Sequence, residues 1–513
     1  MLRSPIVALS IPALLLACVE RREPPGVQAK APEAVEVHVG QPADAGVSER
    51  RRGKVSRGSI EDDLPFEPTG EQLASIAWRT WVYTDTGPKR TRYGYLRAGA
   101  VVDARGPAIV NDGCAGGWYR INPRGFVCLG KGATLDLNHP VVQQASVRPV
   151  RGQGLPYLYA LSSDSPPMLY FKLPTRSEMQ TVEGEQVLGR AARYRERVTT
   201  QGLAELLGEP GAPPAAIVGQ SPLAKPYGVE QRLHYSVHAG RASADSGFAI
   251  GQAFIWETRW FGLTTELDLI ALDRTNVVKP SDFHGVELGQ DEGLPVAFVD
   301  RHYAQKYAEH DGGSIQPDGA FRYRQGLKLT GRKRGRGPAA LWETRDGAWV
   351  VGEVTRRLEP RESFPSFATG NRKWIDISIN QQSLVAYVGR RPVYATLVST
   401  GRGGLGDPET EHATVRGTFM IHAKHVTSTM DGDDDRSDSF NLRDVPFVQY
   451  FHKGFALHGT YWHDDFGKIR SHGCVNLSPI DSAWLFEWTD PAVPPDWHGY
   501  LNKDRGTVVF IHP

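Results

Sequence analysis

The chain is poor in cysteine and shows no surplus of either charge. Four cysteines are spread over 513 residues, and none belongs to a Cys-x-x-Cys knuckle of the kind that usually builds structural zinc sites. Lys plus Arg number 59 against 58 for Asp plus Glu, so bulk charge points neither to nucleic acid nor to an acidic partner. A spanning helix needs about 20 apolar residues, and the N-terminal run from Ile6 to Ala17 falls short of that. What the chain does have is turn chemistry: 55 Gly and 36 Pro against a hydrophobic fraction of 40%. That balance predicts short strands rather than long helices, hence a mainly β fold. At about 100–200 residues per domain, the length predicts roughly three or four units.

The N-terminus "MLRSPIVALSIPALLLAC" combines one early cation, Arg3, with a short apolar stretch and a small residue before Cys18, and reads as an export signal over residues 1–18. "Leu15-Leu16-Ala17-Cys18" resembles the lipobox of bacterial lipoproteins, which implies cleavage before Cys18 and acylation of that residue. The resemblance further implies a protein held in the cell envelope by its lipid, on the periplasmic side. An ordinary secretory signal with an incidental cysteine is the competing reading. Residues 19–70 are rich in Pro, Ala, Glu, Arg and Gly with few aromatics, too little apolar surface to offset ordering, and are expected to be a disordered linker.

From residue 71 to 148 short alternating strands are separated by close turns. "RYGYLRAGAVVDARG" followed by "CAGGWYRINPRGFVCL" resembles the bacterial Src-homology-3-like module, which implies a small β-barrel that binds wall peptides or glycans. Trp81, Trp118 and Tyr119 either line a groove there or fill the barrel core. Cys114 and Cys128, left over once Cys18 and Cys474 are assigned, suggest a disulfide in an exported protein; free thiols are the alternative. The region 149–370 is expected to hold further small β-modules. Trp-Glu-Thr-Arg occurs in it twice, at 256–259 and 342–345, an echo that repeated modules explain and that coincidence also explains. The segment around 195–218 reads as helical up to Gly208 and is broken at Pro210.

After Lys373 the pattern becomes regular. Ile375, Ile377 and Ile379 alternate on one face, Asn380-Gln381 turns, "SLVAYV" returns, and "PVYATLVST" follows, which predicts a meander. The acidic loop 431–440 spaces Asp431, Asp433 and Asp435 like calcium ligands. An EF-hand loop would need Gly and Glu where Arg436 and Leu442 stand, so a solvated loop at the rim of a site is the better reading.

"HGTYWHDDFGKIRSHGCVNL", residues 458–477, carries the chemistry. Zinc bound by His458, His463, His472 and Cys474 would fit neither the usual knuckle nor an open catalytic set. A thiol with a neighbouring imidazole, itself oriented by a third group, makes a nucleophile. His-Gly, a spacer, then Ser-His-Gly-Cys-x-Asn resembles the L,D-transpeptidase (YkuD) catalytic domain, with the likeness running from about Trp374 to the C-terminus. It implies a β-sandwich catalytic domain over 371–513, preceded by the small β-barrel-like modules. It also implies Cys474 as nucleophile, His458 as base and the Gly459 carbonyl as the group that orients the ring. Ser471, His472, Gly473 and Asn476 shape the substrate pocket, and backbone N–H groups around Gly473 and Cys474 take the oxyanion. His463, Asp464 and Asp465 are assigned to the intervening turn. Ser478-Pro479-Ile480-Asp481 reads as a helix start.

The implied partner is the peptidoglycan stem peptide, with no metal, cofactor or nucleic acid. The implied reaction is attack on a tetrapeptide stem, release of D-alanine and cross-linking of the acyl group to a second stem. Water or a protein amine as acceptor would instead give an L,D-carboxypeptidase or an anchoring enzyme. A wall-binding lipoprotein without turnover is the reading from another class.

Overall fold

Period-two alternation after Lys373 builds the sheet behind the site. Lys373–Ser378 pairs antiparallel with Ser383–Val388, and that strand with Arg391–Leu397. Val508–His512 lies parallel beside Lys373–Ser378, Gly417–Met420 pairs beyond it, and Val286–Glu287 closes the opposite edge. Ile375, Ile377 and Ile379 enter a core with Leu457, Val475, Leu477 and Leu485. The other face is buried too: Trp374, Val385 and Tyr387 pack with Phe283, Val286 and Phe298. Alternation alone leaves one face for water, but the segment upstream of residue 300 covers it.

The computed structural model describes residues 65–244, 246–431 and 441–513. The expected signal peptide, Cys18, the linker up to residue 64 and residues 432–440 of the acidic loop lie outside the described residues.

A second sheet carries the chemistry. Ala423–Asp431 pairs with Asn441–His452, which pairs with Phe455–Gly459, and Val475–Leu477 runs parallel to the last. Upstream segments join its edges. Arg92–Leu96 pairs with Gly499–Leu501, which pairs in turn with Ala423–Asp431. Ser246 and Gly247 pair in parallel with Asn441 and Leu442. The described residues therefore belong to one compact unit. The upstream segments share sheet edges with the catalytic strands, which beads joined by linkers would not do.

Asp444 locks this junction. Its carboxylate, with no exposed surface, accepts from Arg97 Nη2 at 2.8 and 3.0 Å and from the Thr427 and Thr265 hydroxyls. Tyr159 donates to the Asp444 carbonyl at 2.6 Å. A buried carboxylate tolerates loss of its cation poorly, because desolvation is then uncompensated.

Upstream, several expectations meet specific outcomes. Cys114 and Cys128 form a disulfide. Trp118, 1% exposed, packs in a small core with Cys114 and Phe126; Trp81 lies under the Arg92 guanidinium, 4.0 Å from its ring centre. The region 149–370 is not purely β, in keeping with the helical reading up to Gly208: helices span Arg176–Glu183, Val187–Thr200 and Ala204–Leu207, the last ending at Gly208 with φ +76°. The Trp-Glu-Thr-Arg echo is coincidence. In the first copy Glu257 and Thr258 form a hairpin turn with φ of +46° and +66°, and Arg259 is buried against Glu183 and Asp273. In the second, Trp342, Glu343 and Thr344 lie within the strand Leu341–Thr344.

Replacing Arg97 by Ala is expected to lower unfolding free energy by about 3–5 kcal/mol, the usual cost of stranding one partner of a buried pair. Denaturant titration of the variant against wild type checks it.

Candidate active site

Strand register decides where the catalytic candidates meet. His458 is paired with Asn476 and Leu457 with Val475, in parallel. Registered residues of parallel strands point to one face, and residues two apart share it. Cys474 lies in the loop directly before Val475–Leu477 and packs against a buried cluster that includes Ala456, as does Trp462, which lies over the His458 ring; Tyr450 stands across from Ala456 on the next strand.

His458 is held in one tautomer. Its ring is 3% exposed, and Nδ1 lies 3.0 Å from the Gly459 carbonyl. A carbonyl only accepts, so Nδ1 carries the proton and Nε2 keeps its lone pair. Trp462 covers the ring at 5.8 Å between centres. Burial pulls the imidazole down to about 4, against a smaller opposing effect of the Gly459 bond. The ring is neutral at pH 7.

Cys474 is partly exposed and packs against the buried cluster that includes Val448, Ala456 and Tyr461. Desolvation raises its thiol to about 11, while the Ala456 N–H favours the thiolate. Among the described residues its hydrogen bond goes to the Gly454 carbonyl at 3.8 Å, not to His458. In this state nucleophile and base are both neutral and share the Trp462 side without a hydrogen bond between them.

The loop before Cys474 is tied down by Ser471. Its hydroxyl accepts from Gly473 N–H at 3.0 Å and donates to the Cys474 carbonyl at 2.5 Å. Of the two expected oxyanion donors, Gly473 N–H is bonded to Ser471 Oγ, whereas Cys474 N–H has no hydrogen bond among the described residues. Gly473 has φ +131°, and a Cβ there would meet Phe455 at 2.8 Å, so glycine is required by backbone conformation and crowding. Its carbonyl accepts from the Thr414 hydroxyl at 2.8 Å. His472 is exposed, edge-on to His412 at 4.8 Å. Ser478 caps the helix Pro479–Trp488 as expected, accepting from Asp481 N–H, while the Asp481 carboxylate turns to Tyr394, Thr396 and Gly285 N–H.

His463, assigned from sequence to a turn, touches the site. Its Nδ1 accepts from Asp465 N–H at 3.2 Å, and its Nε2 lies 2.9 Å from the Asn476 amide. Burial first, then Arg470, lowers this imidazole to about 4, so at pH 7 its single proton sits on Nε2. That N–H needs an acceptor, which orients the Asn476 amide oxygen toward His463. The amide is placed the other way, with Nδ2 toward the ring and Oδ1 buried and unpartnered among the described residues; the proton on Nε2 requires the two atoms to be exchanged, which leaves the NH2 as the unpartnered group. Spacing from the cysteine motif carries no sign of this pairing; only the fold of the turn does.

Comparison with known proteins agrees with the location of the site. Residues 372–511 match the family model of the L,D-transpeptidase catalytic domain, YkuD. A curated relative, YciB of Bacillus subtilis strain 168, provisionally named an L,D-transpeptidase, is 24% identical over 125 residues, 22% of this chain and 59% of its own length. The chain thus spans a little under three fifths of that relative. The L,D-transpeptidase structure from Stackebrandtia nassauensis is 26% identical over 30% of this chain and 62% of its own, with a TM-score of 0.21. The Enterococcus faecium catalytic domain is 20% identical over 28% of this chain and 98% of its own, with a TM-score of 0.22. The Mycobacterium smegmatis enzyme is 18% identical over 45% and 100%, with a TM-score of 0.23.

With the thiol at about 11, the thiolate at pH 7 is roughly one part in ten thousand. Iodoacetamide labelling of Cys474, followed by peptide mass spectrometry, should speed up about tenfold per pH unit from pH 7 to 10. A plateau reached below pH 8 would instead reveal a preformed thiolate–imidazolium pair.

Proposed function

We propose, from a chain whose residues 372–511 form a YkuD-type L,D-transpeptidase catalytic domain, that the protein is a peptidoglycan L,D-transpeptidase acting through a Cys474 acyl-enzyme. It works from the periplasmic side of the envelope, anchored by lipid on Cys18. The observation that carries this reading is that Cys474 directly precedes the strand parallel to that of His458 and shares the Trp462 side with it, the imidazole being fixed by the Gly459 carbonyl.

Because both groups rest neutral, the nucleophile is made at the moment of attack. The thiol turns from the Gly454 carbonyl toward Nε2 and gives up its proton as sulfur bonds to the carbonyl carbon of the third stem residue. Cys474 N–H receives the oxyanion; loss of one such donor elsewhere costs about 3–4 kcal/mol. The imidazolium returns the proton to the leaving nitrogen, the C–N bond breaks and D-alanine departs, leaving a thioester. The amine of a second stem attacks the thioester, His458 takes its proton, and the regenerated thiolate recovers one from the ring. A low imidazole value suits this sequence, since the ring sheds each proton readily, but it weakens the base. Exclusion of water from the pocket and the fixed geometry must compensate.

The test is to incubate the exported chain with disaccharide tetrapeptides and follow D-alanine and cross-linked dimers by mass. Wild type should yield both, Cys474→Ala neither, and His458→Gln should be slower by about 10²–10⁴-fold. Turnover by Cys474→Ala would reject the mechanism. Binding of the stems without any product would favour the wall-binding reading, and hydrolysed tripeptide alone would identify water as acceptor.

A further inference from the structure

The turn that carries His463 is gripped from outside the matched domain. Arg324 belongs to the small β-module whose strands run from Val296–Val299 to Thr355–Leu358. Its Nη1 donates to the Asp464 carbonyl at 2.8 Å and its Nη2 to the Asp464 carboxylate. The guanidinium lies over Phe283 and Phe466, 5.1 and 5.8 Å from their ring centres. Ser281 donates to the other Asp464 oxygen at 2.5 Å. A second arginine of the module, Arg356, donates to the Gly467 carbonyl at 2.6 Å. Both flanks of the turn are thus fixed by planar, multidentate donors that a flexible ammonium would replace only in part.

The grip leads to the active-site face in two bonded steps. Asp464 adjoins His463, and His463 Nε2 lies 2.9 Å from the Asn476 amide. Asn476 is registered with His458 across the parallel pair. Phe466, beneath the Arg324 guanidinium, also packs on the His463 ring at 5.5 Å. The Arg324 side chain is 10% exposed while Asp464 is 54% exposed. Such a half-solvated pair contributes little to global stability, so its value lies in where it holds the turn.

We infer that Arg324 is a positioning residue: through Asp464 and His463 it fixes the orientation of the Asn476 amide, keeping the amide NH2 available on the His458 face. The upstream β-module is then a working part of the active site and not only a wall-binding accessory. The kinetic arm of this inference rests on the transpeptidase reading; the spectroscopic arm does not.

The experiment compares full-length wild type with Arg324→Ala, Arg324→Lys and Asp464→Asn. Release of D-alanine gives kcat and KM, histidine NMR gives the titration of His463, and thermal melting reports folding. Arg324→Ala should lower kcat by about tenfold or more, since small misplacements of a reacting geometry are costly, with KM held within about twofold. The His463 titration should rise from about 4 toward the ordinary value as the turn opens, and Arg324→Lys should recover part of both effects. Unchanged kcat together with an unchanged His463 titration would overturn the inference. If wild type shows no turnover, the transpeptidase reading fails, and the His463 titration alone decides: a shift upholds the positioning role and its absence overturns it. If Arg324→Ala does not fold, Arg324→Lys, expected between Ala and wild type, is judged by the same criteria, and Asp464→Asn by kcat alone, because loss of its charge by itself lowers the His463 titration.

Discussion

A carboxylate withdrawn from water has to be neutralised and hydrogen-bonded, and Asp444 meets that demand with groups from three stretches of the chain. Arg97 follows the strand Arg92–Leu96, Thr265 comes from the middle region, and Thr427 from the neighbouring strand Ala423–Asp431. None of the three can withdraw without leaving charge or hydrogen-bonding capacity stranded in a low-dielectric interior. Asp444 lies on the strand Asn441–His452, which pairs directly with the strand bearing His458. The contact that joins upstream and catalytic segments therefore also steadies the wall of the active site.

The same dryness sets the chemistry. Apolar packing that keeps water from Cys474 raises its thiol, and burial of His458 lowers its imidazole, so the environment favours two neutral groups over an ion pair. A resting site of this kind does not expose a permanent thiolate to oxidants. It relies on substrate to bring sulfur, proton and imidazole into line. The Ser471 bonds that fix the loop, and the positive φ of Gly473, supply the rigidity such a late proton transfer needs.

Much of the site was readable in the order of residues. The contact expected between the His458 ring and the Gly459 carbonyl is present, because a bond between adjacent residues is a local matter. Spacing did not reveal that Gly473 N–H is taken by Ser471, or that His463 belongs to the site through Asn476. Both depend on backbone direction inside loops, which side-chain pattern does not encode. The helices between Arg176 and Leu207 were only partly foreseen, since much of their surface is polar and exposed and their packing is supplied by distant strands. The repeated Trp-Glu-Thr-Arg misled for a related reason: four identical residues can serve as a turn in one frame and as a strand in another, depending on the neighbours that bury them.

Sequence by itself determined the mainly β character, the meander after Lys373 and the segment in which the candidate site lies. Each of these is written in local periodicity or in residue types that have few chemical uses. Tertiary structure alone decided that the upstream segments share sheet edges with the catalytic strands, and that Arg324 reaches the turn beside His463. It also decided that the thiol and imidazole rest uncharged. These outcomes depend on contacts between residues a hundred or more positions apart and on the water those contacts exclude, and no local pattern in the chain records either.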